Sequence, residues 1–324
     1  GGDDVGSSPA LADLDGDGVR DGVVGSNDRT VWALSGADAT PLWRFETGGA
    51  VESSPAVGDL NGDGIPDVAV GSDDRRVYAL SGSDGRMLWS RETGGRVRAS
   101  PALADLDGDR LVDVVVGSWD KRVYALAGRT GEPLWTVATG GGVIGAAALG
   151  RLDGDDVPDV AVGSLDGRVH ALSGKDGRSL WTTEGEEGVS ARPALADVNG
   201  DGVPDVVAGT WDACLHAWSG TDGEMLWTYE TGAGVNSSAA VAELDGDGGP
   251  VFVVGADDHA LHAISGKAGT PLWSFATGGP LLSSPALHDL DRDGRLDAVV
   301  GSEDGWVYAI SGADGRPLWR YAMG

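Results

Sequence analysis

One cysteine, Cys214, is all the chain has, so no intrachain disulfide can form and no cysteine-based zinc site is expected. Basic residues are also scarce. Lys and Arg number 23 against 51 Asp and Glu, a formal net charge of -28. Nucleic acid is thereby excluded as a partner, because displacing condensed counterions from phosphates needs Lys and Arg; an anionic membrane surface is excluded on the same ground. No apolar run approaches the roughly 20 residues that cross a bilayer, so membrane insertion is not expected. No signal peptide opens the sequence, as expected of a trimmed mature domain. Aromatic residues make up only 6% and no stretch has amphipathic helical spacing.

Glycine is abundant, at 55 residues, as suits many short strands joined by tight turns. These glycines recur with a fixed period of 46 residues. Units begin at Ser7, Ser53, Ala99, Gly145, Ala191, Ser237 and Ser283, with no insertion or deletion between them. The seventh stops four residues short at Gly324, and Asp3, Asp4, Val5 and Gly6 supply the missing four, Val5 falling in register with Val51, Val97 and Val143. A linear solenoid needs atypical capping repeats. Here the ends complete one another, which predicts a closed ring and a single domain over residues 1–324.

Each unit opens on a short segment such as SSPALADL, read as an innermost strand, with alanine fixed at its fourth position (Ala10, Ala56, Ala102, Ala148, Ala194, Ala240, Ala286) as a crowded axis would require. An acidic loop follows, then an apolar run such as DVAVGS suited to a strand covered on both faces. A turn with a fixed Asp (Asp28, Asp74, Asp120, Asp166, Asp212, Asp258, Asp304) leads to a third strand such as RVYALSG, and a glycine turn leads to a fourth ending in Trp. Seven units of four antiparallel strands predict an all-β protein, a seven-bladed β-propeller.

The acidic loop places side-chain oxygens at positions 1, 3, 5 and 9, the donor set of a hard cation, Ca2+. The candidate ligands are Asp13, Asp15, Asp17 and Asp21 in blade 1, and Asp59, Asn61, Asp63 and Asp67 in blade 2. Blade 3 offers Asp105, Asp107, Asp109 and Asp113, with Arg110 where other loops turn on Gly, a source of strain if φ is positive there. Blade 5 offers Asp197, Asn199, Asp201 and Asp205, and blade 7 offers Asp289, Asp291, Asp293 and Asp297. Blade 4 has Arg151 in the first position and keeps Asp153, Asp155 and Asp159; blade 6 keeps Glu243, Asp245 and Asp247 but has Val251 in the ninth. These two are the weaker sites. An EF-hand is excluded because position 12 is Val24 or Val70 inside a strand rather than Glu. Carboxylates converging without a cation would repel by a few kcal/mol per close pair at an effective dielectric of about 20. Five calcium ions would bring the net charge from -28 to -18.

The pattern DxDxDGxxD followed by a strand resembles the calcium-binding hairpins of integrin-type FG-GAP repeats, which implies that the ninth-position Asp and a seventh-position carbonyl also ligate. The spacing A-x-S-x-x-D-G-x-x-x-W, as in Ala79 to Trp89, resembles the tryptophan-docking motif of quinoprotein-like (PQQ-type) propellers and recurs through Trp43, Trp89, Trp135, Trp181, Trp227, Trp273 and Trp319. The resemblance implies indoles packed between neighbouring blades. Blade 1 departs from it with Ala39 in place of Gly. The quinone cofactor is not implied, since that enzyme family generally has eight blades and a disulfide beside the cofactor. His170, His216 and His262 share one repeat position where other blades have Tyr or Trp, which marks them as strand packing residues; His259 and His288 are isolated, and no triad is apparent.

Variation among the units is confined to the second turn (NDRT, DDRR, WDKR, LDGR, WDAC, DDHA, EDGW) and the connector between units, with Glu52, Arg96, Arg98, Ile144, Glu186, Glu187, Arg192 and Asn236. In a four-stranded antiparallel blade both lie at one end and the acidic loops at the other. The sequence therefore reads as a non-catalytic, calcium-binding scaffold, monomeric and extracellular or periplasmic, that binds a glycan, peptide or protein through its variable end. Candidate ligand-binding residues are Trp119, Lys121, Arg122, Arg192, Trp211 and Trp306, the tryptophans being placed in second turns. The alternatives are a propeller enzyme, such as a polysaccharide lyase or a quinoprotein-like dehydrogenase, and a recently amplified or engineered repeat protein without an evolved ligand.

Overall fold

A computed structural model of the chain describes residues 5–185, 187–242 and 249–323. Among these residues 28 strands form seven four-stranded antiparallel sheets, each with its strands side by side in chain order. The protein is a seven-bladed β-propeller. Blade 1 consists of β1 (Ala10–Ala12), β2 (Asp21–Gly25), β3 (Thr30–Leu34) and β4 (Pro41–Glu46). Blade 2 repeats it as β5 (Ala56–Gly58), β6 (Asp67–Ser72), β7 (Arg76–Leu80) and β8 (Met87–Glu92). Of the segment read as completing the seventh repeat, Asp3 and Asp4 lie outside the described residues, and Val5 is exposed.

The chain divides into two compact units, Gly1–Leu149 with Asp155–Leu165 and Leu172–Ser179, and Gly150–Gly154 with Asp166–Ala171 and Leu180–Gly324. Blades 1 to 3 fall in the first and blades 5 to 7 in the second, while the residues of blade 4 are shared between them.

The apolar second strand is the core of each blade. Every residue of β6 is buried, and the equivalent Asp113–Ser118 strand of blade 3 is likewise buried throughout. β8 is more exposed, with only Trp89 buried along it. Between the third and fourth strands the register slips by one residue at Ala33/Leu34 and again at Ala79/Leu80 and Ala125/Leu126, a bulge that lets the sequence turn through the Gly-containing hairpin. The fourth-position alanines are unequally enclosed: Ala148 and Ala194 are buried, Ala10, Ala56, Ala102 and Ala240 half-buried, and Ala286 exposed.

Within each unit, neighbouring blades are joined by contacts spaced at the repeat. The Ser8 amide donates to Ser54 Oγ and the Ser54 amide to Ser100 Oγ, both across 46 residues. The Trp43 indole N–H donates to the Gly82 carbonyl at 2.6 Å, and Trp89 and Trp135 do the same with Gly128 and Gly174. In the second unit Trp181 donates to Gly220 and Trp227 to Gly266. The turn glycine of the following blade receives the ring: Gly131 has φ 70, and a Cβ there would lie 2.6 Å from Trp89. The strand glycine is required for a different reason, since a Cβ on Gly71 would sit 2.4 Å from the Val97 side chain. Where blade 1 has Ala39 instead of Gly, the backbone still takes φ 60.

Candidate cation-binding loops and the variable end

Loop 3 shows how the acidic residues are held. Asp105 accepts from the Gly108 and Arg110 amides at 2.7 and 3.0 Å, Asp107 from the Asp109 amide at 3.0 Å, and Asp109 from the Leu111 amide at 2.8 Å. These short-range bonds bend the chain so that oxygens of Asp105, Asp107 and Asp113 lie within 4.8 Å of one another. The same closeness holds for Asp13, Asp15 and Asp17, and for Asp289, Asp291 and Asp297. The turn demands positive φ at two positions, met by Gly16 and Gly18 in blade 1 but by Arg110 at φ 73 in blade 3, at a cost of about 1–2 kcal/mol. Blade 7 carries a second case unnoticed in the sequence: Arg292 has φ 65 where the other loops have Gly. There Asp289 Oδ1 is buried with no hydrogen-bond partner, an oxygen suited to a cation.

The ninth-position Asp has another role beside that of ligand. Asp113 is buried, with Oδ2 accepting from the Leu106 amide at 2.8 Å and Oδ1 from the Gly128 amide at 2.9 Å. Asp21 ties Leu14 to Gly36, and Asp297 ties Leu290 to Gly312. This residue knots the loop to the end of the third strand, and blade 4 keeps it as Asp159 although Arg151 replaces its first-position Asp; blade 6 alone has lost it, to Val251.

Blades 2 and 5 differ in a way the sequence pattern does not reveal. Asn61 Nδ2 donates to Asp63 Oδ2 at 3.0 Å and Asp67 Oδ1 at 3.3 Å, and Asn199 Nδ2 makes the equivalent bonds to Asp201 and Asp205. An amide nitrogen thus lies between the carboxylates, where an all-Asp loop presents oxygen. The loop of blade 4 is split between the two units. Glu243, Asp245 and Asp247 of blade 6 lie outside the described residues, as does Glu186 of the connectors.

Burial pushes the Asp67 carboxyl up to about 6, against the opposing pull of the Gly82 and Leu60 amides, and raises Asp113 and Asp205 in the same direction. A carboxyl whose folded pKa is raised contributes stability that is present below the unfolded value and is lost as pH rises through the folded one. In chelator, the melting-temperature advantage of wild type over Asp67→Asn is therefore expected to shrink from about pH 4 to about pH 7. An advantage that stays level across that range would contradict this assignment.

At the other end of the blades, the fixed turn Asp is a structural clasp. Asp74 Oδ2 accepts from the Gly48 amide at 2.7 Å and from the Tyr78 hydroxyl at 2.6 Å; Asp120 and Asp304 repeat this with Gly94 and Tyr124, and with Gly278 and Tyr308. The strand histidines replace that tyrosine, His262 Nε2 lying 3.0 Å from Asp258 and His216 Nε2 3.4 Å from Asp212. Several variable charges neutralise one another, since the Arg98 guanidinium donates to Asp73 at 2.7 and 2.9 Å and lies 2.9 Å from Glu52.

Trp119 and Trp211 do occupy second turns and are 44% and 46% exposed. Trp119 rests on Gly142. The Trp211 indole N–H donates to Ser190 Oγ and Asn236 Oδ1, and its ring covers Gly188. Lys121, at φ 69, and Arg122 are exposed beside Trp119 in the first unit; Arg192 is exposed in the second. Trp306 is not a turn residue. It opens the strand Trp306–Ile310, as Thr30, Arg76 and Arg122 open theirs, with Gly305 in the left-handed turn position before it; it pairs with Ala322 and lies under the Arg320 guanidinium at 4.4 Å. With Leu282, Val307 and Met323 it lines an apolar cavity of about 300 Å³.

The family model described as outer membrane protein assembly factor BamB matches residues 64–203 and again 165–324. The chain belongs to the BamB family. An FG-GAP-like repeat model matches residues 13–70, the region of the first two acidic loops. Among solved structures, BamB from Moraxella catarrhalis is 20% identical, with a TM-score of 0.64 over 93% of this chain and 81% of its own. The computationally designed Ika8 protein is 19% identical with a TM-score of 0.74, over 99% of this chain and 90% of its own. Sqt1 from Saccharomyces cerevisiae is 14% identical with a TM-score of 0.77, over 98% and 86%. No curated protein matches by sequence. BamB-type and FG-GAP-type repeats thus coexist in one scaffold.

Proposed function

We propose that this BamB-family chain is a non-catalytic, calcium-stabilised propeller that acts as one monomeric domain and recognises a partner through the variable ends of its blades. The observation that carries the reading is the half-exposure of Trp119 and Trp211 in turns where the other blades have no aromatic residue, four of the five counterparts being Asn27, Asp73, Asp257 and Glu303 and the fifth Leu165. An indole brings a large apolar area, and leaving it in water is unfavourable unless something else covers it. The family's name denotes an assembly factor, which favours a protein or peptide over a glycan as that cover. Exposed Lys121, Arg122 and Arg192 suit acidic groups on the partner, through charge-assisted hydrogen bonds on an otherwise acidic molecule.

Calcium belongs to the opposite ends of the blades. Asp13, Asp15 and Asp17, Asp105, Asp107 and Asp113, and Asp289, Asp291 and Asp297 would hold it, and it would relieve carboxylate repulsion there without taking part in any reaction. A cation need of this kind fits a site of action outside the cytoplasm, extracellular or periplasmic, where calcium is plentiful. The unbroken 46-residue period and the likeness to a designed propeller favour a second reading, an amplified or engineered scaffold without an evolved ligand.

The test is a Trp119→Ala, Trp211→Ala double variant screened on peptide and glycan arrays. Binding by wild type and its loss in the variant, with an unchanged calcium-dependent melt, is the expected result. Full binding by the folded variant would remove these turns as the recognition surface, and no binding by wild type would favour the second reading.

A further inference from the structure

One blade carries a donor set found in no other. Blade 5 reads Asp212, Cys214 and His216 at alternate positions, where blade 2 has Asp74, Arg76 and Tyr78 and blade 6 has Asp258, Ala260 and His262. Alternate residues of a strand project to one side. Cys214 and His216 therefore share one side of the strand Cys214–Trp218, and the turn before it brings Asp212 alongside, so that a carboxylate oxygen of Asp212, the Cys214 sulfur and a ring nitrogen of His216 all lie within 4.8 Å of one another.

Each ligand is oriented by a neighbour. Asp212 Oδ1 accepts from the Thr210 hydroxyl, leaving Oδ2 3.4 Å from His216 Nε2. His216 Nδ1 is 2.9 Å from Thr228 Oγ1 on the adjacent strand. The tautomer in which Nδ1–H donates to Thr228 leaves the Nε2 lone pair directed at the cluster, the arrangement in which a second hydrogen bond fixes a metal-bound imidazole. Glu230 lies directly across the ladder from Cys214, as Thr228 does from His216, so a further carboxylate stands on the same side of the sheet. The His216 side chain is 13% exposed and that of Asp212 41%, which shelters the site yet leaves a path from solvent.

We propose that Asp212, Cys214 and His216 form a site for a borderline-soft divalent transition-metal ion of the zinc type, distinct from the all-oxygen calcium loops. Thiolate, imidazole and carboxylate together suit such an ion, whereas calcium takes oxygen alone. Zinc bonds of about 2.0–2.3 Å place tetrahedral ligands about 3–4 Å apart, so the three side chains need close by only about 1 Å. The fourth position falls to water or to Glu230. On binding, the Cys214 thiol releases its proton to solvent and the sulfur donates an electron pair to the metal; nothing is oxidised or reduced.

Cobalt(II) titration in excess calcium tests the site, with the acidic loops saturated beforehand. Wild type is expected to develop thiolate-to-cobalt charge-transfer absorption in the near ultraviolet, complete at one equivalent and bleached by one equivalent of zinc. Cys214→Ser should abolish that band, and Thr228→Val should weaken cobalt binding by about 10–100-fold through the lost support of His216. The calcium-dependent melt without cobalt serves as the folding control for both. Absence of the band in wild type would overturn the proposal, as would an unchanged cobalt affinity in His216→Ala, which would mean that the thiol alone captures the ion. Because Cys214 is the sole cysteine, a measurement without any variant is also decisive. Stoichiometric zinc should slow its alkylation by at least about tenfold, as a thiolate held at about 90% occupancy would be by mass action, and an unaltered alkylation rate would contradict the site.

Discussion

Saturating calcium is expected to raise the unfolding free energy by about 2.7 kcal/mol for each occupied loop once free calcium stands 100-fold above the dissociation constant. Oxygens of three carboxylates lie within 4.8 Å of one another in the loops of blades 1, 3 and 7. Two unit charges about 4 Å apart repel by about 4 kcal/mol at an effective dielectric of 20. The backbone amides that each Asp accepts from offset part of that repulsion, and Asp289 Oδ1 in blade 7 lacks even this. Thermal melts in calcium and in chelator are the check. Midpoints that coincide would mean that the loops are polar turns satisfied by their own amides.

Removing one interblade indole should have an effect of similar size. Trp135 is 7% exposed, donates its N–H to the Gly174 carbonyl at 2.6 Å, and covers Gly177, whose backbone at φ 72 leaves room for the ring. Trp135→Ala deletes that contact and opens a cavity, at an expected cost of about 3–5 kcal/mol. Trp135→Phe keeps most of the ring and loses the hydrogen bond, so about 1–2 kcal/mol is expected from the unpaired carbonyl and the missing N–H. Urea unfolding of both variants separates packing from hydrogen bonding. Equal losses in the two would assign the role of Trp135 to the N–H alone.

The repeat made the architecture legible. A period of 46 residues, a β-branched second segment and a glycine before each turn gave the strand order of the blades, because those features answer to backbone geometry that every unit shares. The indole contacts were legible for the same reason. Individual side-chain directions were not. Asn61 and Asp15 occupy the same loop position, yet the amide turns its nitrogen toward Asp63 and Asp67, a choice set by local hydrogen bonds rather than by spacing. Trp306 resembles Trp119 in standing near the fixed Asp, but Trp119 precedes Asp120 whereas Trp306 follows Asp304 by two residues, and that offset of three repeat positions puts it in the strand rather than the turn. Arg292 at φ 65 stands in a glycine position of the repeat, a departure that four intact acidic residues in the same loop mask. A single cysteine such as Cys214 does not by itself signal a metal site. The signal is the spacing Asp212, Cys214, His216, which brings together three different ligand types from one side of a strand and the turn before it.

The most direct test of the account is a calcium titration of the metal-free chain by isothermal calorimetry, read for stoichiometry. Three tight equivalents are expected, from the loops of Asp13, Asp15 and Asp17, of Asp105, Asp107 and Asp113, and of Asp289, Asp291 and Asp297. Blades 2 and 5 should follow more weakly, since the Asn61 and Asn199 amides must turn over to present oxygen, and blades 4 and 6 should bind weakest, with Arg151 and Val251 in ligand positions. Asp107→Ala should remove one tight equivalent and leave the others. A chain that takes up no calcium, or binds it equally in every blade, would contradict the account.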